Sequence, residues 1–159
     1  MGHAINGFIG RTAELLQPFL SLPHAVLCPL NQGFLFLPFV EPLYSSDDLA
    51  SQHARLIRLT QPLEAWAITQ SLINPIAYIE TDFFGGKGEQ NAICWSQGMI
   101  LCGPLTSNEK TPMPQCAINQ VLQTLGVTRG KACDEFAALG LDRYRENEDW
   151  IEKASVPEQ

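Results

Sequence analysis

A chain of 159 residues with a net charge of -7 and only 17% charged residues is long enough for one ordinary core and short for two. Its acidity opposes a phosphate backbone, so nucleic-acid binding is not expected. The longest apolar run, residues 34–40 ("FLFLPFV"), carries a proline and falls far below the roughly 20 residues needed to cross a bilayer, so no membrane partner is expected.

The opening "MGHAINGFIGR" lacks the ordered basic, apolar and small-residue regions of a secretory signal, which makes a cytoplasmic location the expectation. Residues 11–17 read as a short helix broken at Pro18. "HAVLCPL" and "FLFLPFV" follow as two strands joined by "NQG", with Pro29 and Pro38 suited to a sheet edge or a strand end.

Ser46 and Asp47 offer a helix cap for "DLASQHARLIRL", where Leu49, His53, Leu56 and Ile57 share one helical face. Pro62 suits the first turn of a further helix through "LEAWAITQSLI", ended by Asn74-Pro75. "IAYIETDFF", "EQNAICW" and "MILCG" then form an antiparallel meander, separated by "GGKG" and "SQG". Ile118, Val121, Leu122 and Leu125 make the apolar stripe of a helix that ends at Gly126. Phe136, Leu139, Trp150 and Ile151 are anchors for a last acidic segment. From Asp134 onward it holds eight acids against three basic residues. Strands and helices come in blocks, not in strict βαβ alternation. The expectation is therefore a single α+β domain over residues 1–159, with hairpins packed against three to five helices.

The glycines of "TDFFGGKGEQNAICW" raise the question of a phosphate loop. A phosphate cradle needs a glycine turn followed by a helix, and a Walker loop needs lysine followed by Ser or Thr. Here Lys87 precedes Gly88, and a strand-like segment follows, so the stretch reads as a hairpin. On such a strand Tyr78, Glu80, Asp82 and Phe84 share one face. Glu80 and Asp82 would then stand about 6–7 Å apart. Paired carboxylates can hold a hard cation or divide acid and base roles. The plainer expectation is a solvated strand face. The candidate functional face comprises Glu80, Asp82, Gly85, Gly86, Lys87, Gly88, Glu89 and Gln90.

Other chemistry is thinner. His3, His24 and His53 show no HxxH or HExxH spacing, so neither a metal nor a cofactor is expected. His24 and Cys28, if on one strand, lie roughly 13 Å apart, too far to share a proton. The five cysteines form no CxxC pair and read as reduced thiols, four of them among apolar neighbours and Cys133 in polar company.

The stretches "GFIGRTAELLQPFLSLPHAVLCPLNQGFLFLPF", "YIETDFFGGKGEQNAICW" and "DEFAALGLDRYRENEDW" resemble a group of uncharacterised bacterial proteins of similar length. That resemblance implies a compact bacterial protein and carries no catalytic residues over. Size and charge give a looser likeness to the immunity proteins of bacterial toxin systems, which implies a basic protein partner. Two readings stand. One is an interaction module using its acidic C-terminal segment, and with it the face carrying Glu80 and Asp82, to engage a basic partner. The other is a small enzyme or ligand-binding protein with a site at Glu80, Asp82 and the glycine hairpin.

Overall fold

The computed structural model describes residues 2–11, 25–39, 44, 47–53 and 55–154. Strand β1 (Asn6–Arg11) pairs antiparallel with two neighbours at once, and it is buried on both faces over most of its length because cores pack on either side of the sheet. On one side lies β3 (Phe34–Pro38), which in turn carries the short edge strand β2 (Cys28–Pro29). On the other side the meander β4 (Ile76–Phe84), β5 (Lys87–Ser96) and β6 (Met99–Asn108) continues the sheet to its far edge. The strand order is β2-β3-β1-β4-β5-β6, antiparallel throughout. Pro29 falls on the edge strand and Pro38 closes its strand, as their missing N–H groups require.

Period-2 alternation sends side chains to two separate cores. Phe8, Leu35, Leu37, Tyr78, Ile93 and Trp95 face one side, where they meet Leu56, Leu59 and helix α1 (Gln61–Gln70). Ile9, Phe36, Ala77, Ile79, Ala92 and Cys94 face the other. There they meet α2 (Ala117–Thr124), α3 (Glu135–Leu139) and α4 (Asn147–Ala154). One antiparallel sheet with helices on both faces makes the chain α+β, with four helices among the described residues. No helix of those residues is long and apolar enough to cross a membrane.

The elements start and stop for local reasons. Thr60 caps α1 by accepting from the Leu63 N–H, and Pro62 stands second in the helix where its missing donor costs nothing. The helix ends at Gln70, before the Asn74-Pro75 stop. Gly126, at φ 93, follows α2 as anticipated. Both meander turns hold two residues at positive φ, Gly85-Gly86 and Gln97-Gly98, which suits the twist of the flanking strands.

Two expectations need adjustment. Residues 12–17 of the first expected helix lie outside the described residues, and Arg11 ends β1. The helix expected over residues 48–59 is absent from the described part of that segment. Instead the chain turns back on itself, with an Ala50–Thr60 bridge and a 2.8 Å bond from the Ser51 N–H to the Leu59 carbonyl. Leu49 and Ile57 point to solvent, while Leu56 and Leu59 are buried. A helix would spend the Ile57 and Arg58 N–H groups on its own carbonyls, whereas here both are taken by Glu80. Asp47 lies in a turn, and Ser46 is outside the described residues. His53 is half-buried on this segment, its Nε2 3.0 Å from a Glu64 carboxylate oxygen.

Candidate functional site

The glycine stretch is a hairpin. Gly85 and Gly86 form its two-residue bend, Phe84 pairs with Lys87, and β5 begins at Lys87 with no helix after the glycines. Gly88 sits so close to the neighbouring strand that a Cβ there would press on the Asp82 carbonyl. Its N–H donates to Glu109 at 3.2 Å. Lys87 is exposed.

Register, not sequence proximity, makes the polar centre. Asn6, Glu80, Asn91 and Thr106 are direct cross-strand partners on β1, β4, β5 and β6, forming one row across four strands. Hydrogen bonds run inward along that row to Glu80. Asn147 donates to Asn6 Oδ1 at 2.8 Å and to the Phe39 carbonyl at 2.7 Å. Asn6 donates to Tyr78 Oη at 3.4 Å, and Tyr78 donates to Glu80 Oε2 at 2.6 Å. From the other end, Thr106 donates to Asn91 Oδ1 at 2.6 Å, and Asn91 donates to Glu80 Oε1 at 3.2 Å. The Ile57 and Arg58 N–H groups complete the set at 3.1 and 3.2 Å.

Glu80 is 4% exposed, which corrects the expectation of a solvated face. The carboxylate stays inside because four donors cover its two oxygens. Burial nevertheless pushes its pKa above the ordinary carboxylate value, opposed by those donors. Burial raises the Tyr78 hydroxyl further, and the neighbouring Glu80 charge adds to the rise.

Asp82, two residues on, behaves differently. It is exposed, and its carboxylate lies 3.9 Å from the Arg58 guanidinium. Glu89 pairs with Arg55 at 3.7 Å, also at the surface. Such exposed pairs contribute little stability. Together with Ile57, Glu80 and Asn91, Arg58, Asp82 and Glu89 line a cavity of about 290 Å³.

Gln90 is on the opposite face, so the candidate set divides between the two sides of the sheet. There it has a structural task that the sequence does not show. Its Oε1 accepts the Ile118 N–H at 2.8 Å, and Ser107 Oγ accepts the Ala117 N–H at 2.9 Å. The sheet thereby caps α2, whose preceding residue Cys116 makes no side-chain cap. Replacing Gln90 or Ser107 with alanine is expected to cost about 1 kcal/mol each, measured by urea denaturation. Because the two are cross-strand partners capping adjacent N–H groups, the double variant is expected to depart from the sum.

That face also holds a cavity of about 300 Å³ which the sequence reading missed, with His3, Phe83, Cys116, Asn119 and Asp134 among its lining. His3 donates to or accepts from Thr81 Oγ1 at 2.8 Å and lies between the Phe83 and Phe136 rings, and burial lowers its pKa. Asp134 caps α3 through the Ala137 N–H and accepts from Asn119. These residues come from distant parts of the chain, so no spacing could announce them. Among the described residues no three His, Cys, Asp or Glu side chains are grouped to hold a metal ion.

The arrangement defines a layered α+β protein whose buried carboxylate fastens a loop to a sheet. Comparisons with protein-family models, with curated proteins and with solved structures find no match to this chain.

Proposed function

We propose that this chain works by docking rather than by chemistry. Its docking end is an apolar rim of Leu72, Ile73, Met99, Ile100 and Leu101, and its occupant is a second copy of the chain. The observation that carries this reading is the exposure of those five aliphatic side chains, between 48% and 69%, at one corner of the fold. The end of α1 and the β5–β6 turn are brought together by hydrogen bonds. Gln97 donates to the Ser71 carbonyl at 2.7 Å, Gly98 donates to Ser71 Oγ at 2.9 Å, and Leu72 abuts Gly98. Clustered exposed aliphatics of this kind mark interaction sites.

Charge permits a second copy as the occupant. No charged residue occurs between Glu64 and Glu80 or between Glu89 and Glu109, the two segments that build the rim. Two copies of a chain of net charge -7 can therefore meet here without opposing like charges. Strand β6 is the sheet edge, with no strand on its outer side among the described residues, and antiparallel pairing of a strand with its own copy satisfies two-fold symmetry. Pro104 lacks an N–H and follows a bulge, which directs pairing to the Met99–Cys102 half of the strand.

Sedimentation across low to high micromolar concentration tests the reading. The wild type is expected to dimerise and Leu72→Lys/Ile100→Lys to remain monomeric, with Tm nearly unchanged because both positions are exposed. A wild type that stays monomeric, or a dimer that survives both lysines, overturns it.

A second reading, attraction of a basic protein as in the immunity-like likeness, draws on Glu146, Glu148 and Glu152, exposed on or beside α4. Asp149 there is paired with Lys153 at 3.8 Å. The ligand-site alternative draws on the cavity beside Glu80, but the lone pairs of that carboxylate are occupied.

A further inference from the structure

Cys94 and Cys102 are direct register partners on β5 and β6, and both side chains pack on the face covered by α2. Antiparallel partners stand roughly 4.5–5.5 Å apart between Cα atoms. That separation falls inside the window of about 4.4–6.8 Å in which a disulfide closes. The ladder is irregular on both sides of Cys94, between Ala92 and Cys94 and between Cys94 and Trp95.

The two thiols differ in access. Cys94 is buried, whereas Cys102 is half-buried on the edge strand. Burial pushes the Cys94 thiol up to about 12, so it is a slow first nucleophile.

We propose that Cys94 and Cys102 form a reversible dithiol/disulfide site, oxidised by a soluble small-molecule disulfide that enters through Cys102. The Cys102 thiolate attacks one sulfur of the soluble disulfide, whose S–S bond breaks to release one thiolate. Cys94 then attacks the Cys102 sulfur of the mixed disulfide, and the second small thiolate leaves. The proton from Cys94 passes to a departing thiolate. Two protein thiols lose two electrons in total, and one external disulfide becomes two thiols. The juxtaposition across the ladder makes the second step intramolecular, which compensates for the high pKa of Cys94. The site rests on strand register, and because the proposed dimer would pair the same Met99–Cys102 stretch, dimerisation is expected to slow entry through Cys102. Its consequence for the fold is a staple holding the Met99–Cys102 half of the edge strand to β5.

The test is incubation of the full chain with glutathione disulfide, followed by a thiol count under denaturing conditions and peptide mapping without reductant. No lysine or arginine lies between Lys87 and Lys110, so trypsin leaves both cysteines in one peptide. Two of the five thiols are expected to disappear. The peptide spanning residues 88–110 is expected to be lighter by two hydrogens. Cleavage after Trp95 should leave its halves joined until dithiothreitol is added. Cys102→Ser, a half-buried position that should tolerate serine, is expected to leave Cys94 reduced. Glutathione retained on Cys102 while Cys94 stays free overturns the proposal. So does reaction confined to Cys116 and Cys133, or oxidation of Cys94 in Cys102→Ser.

Discussion

Glu80→Ala is expected to lower the unfolding free energy by about 3 kcal/mol, the largest loss from any single polar side chain of the sheet. The substitution removes the acceptor shared by the Ile57 and Arg58 N–H groups, the Tyr78 hydroxyl and the Asn91 amide. Each orphaned donor costs about 1 kcal/mol or more, and the desolvation that the carboxylate itself no longer suffers offsets part of the sum. Glu80→Gln retains one acceptor oxygen but places an amide N–H group opposite donors, so about 1–2 kcal/mol is expected. Urea denaturation at neutral pH measures both, and a loss below about 1 kcal/mol for alanine would show that the loop is not held by this carboxylate.

The pH dependence has a definite sign. The pKa of Glu80 is raised in the fold by burial, so the native state binds its proton more tightly than the unfolded chain does. The associated stability is fully present below the ordinary value of 4.5 and is lost as pH rises through the higher folded value. Glu80→Gln has no such titration. The stability gap between wild type and Glu80→Gln is therefore expected to narrow as pH rises from below 4.5 toward neutrality. A gap that widens over that interval would mean that the four donors outweigh desolvation.

The same residue shows where sequence patterns inform and where they stop. The hairpins were legible because alternation and turn glycines are local: Ala77 and Ile79 face one core, Tyr78 faces the other, and Gly85-Gly86 bend between them. α2 was legible because its four stripe residues recur at helical spacing. Residues 48–59 carried an equally periodic pattern, yet a carboxylate more than twenty positions away took two of the backbone donors that a helix would have used. Nothing in that segment announces such a competitor. The burial of Glu80 likewise depends on Asn6, Asn91 and Thr106 arriving in register, and the two-sided split of Glu80 and Gln90 follows from strand parity only once the partners on each face are known. The apolar rim joins the end of α1 to the β5–β6 turn, a contact between segments that no single window contains.

Trp150 tests the opposite face of the sheet. Its side chain is fully buried and packs edge-on against Phe36 at 5.4 Å and Tyr144 at 5.0 Å between ring centroids. The Cys28 thiol donates to its carbonyl at 3.4 Å, which ties α4 to the edge strand β2. Its indole Nε1, however, is buried with no hydrogen-bond partner among the described residues. The tryptophan thus combines a large apolar contribution with one uncompensated donor. Trp150→Ala is expected to cost about 4 kcal/mol, as truncation leaves a void between α4 and the sheet. Trp150→Phe keeps an aromatic ring against Phe36 and Tyr144 while removing the orphaned N–H, whose burial costs about 1–3 kcal/mol. The smaller ring forfeits packing of similar size, so a net change within about 1 kcal/mol is expected. Chemical denaturation of the two variants beside the wild type separates the contributions. A loss above about 2 kcal/mol for phenylalanine would show that the packing lost with the indole outweighs the relief of its orphaned N–H.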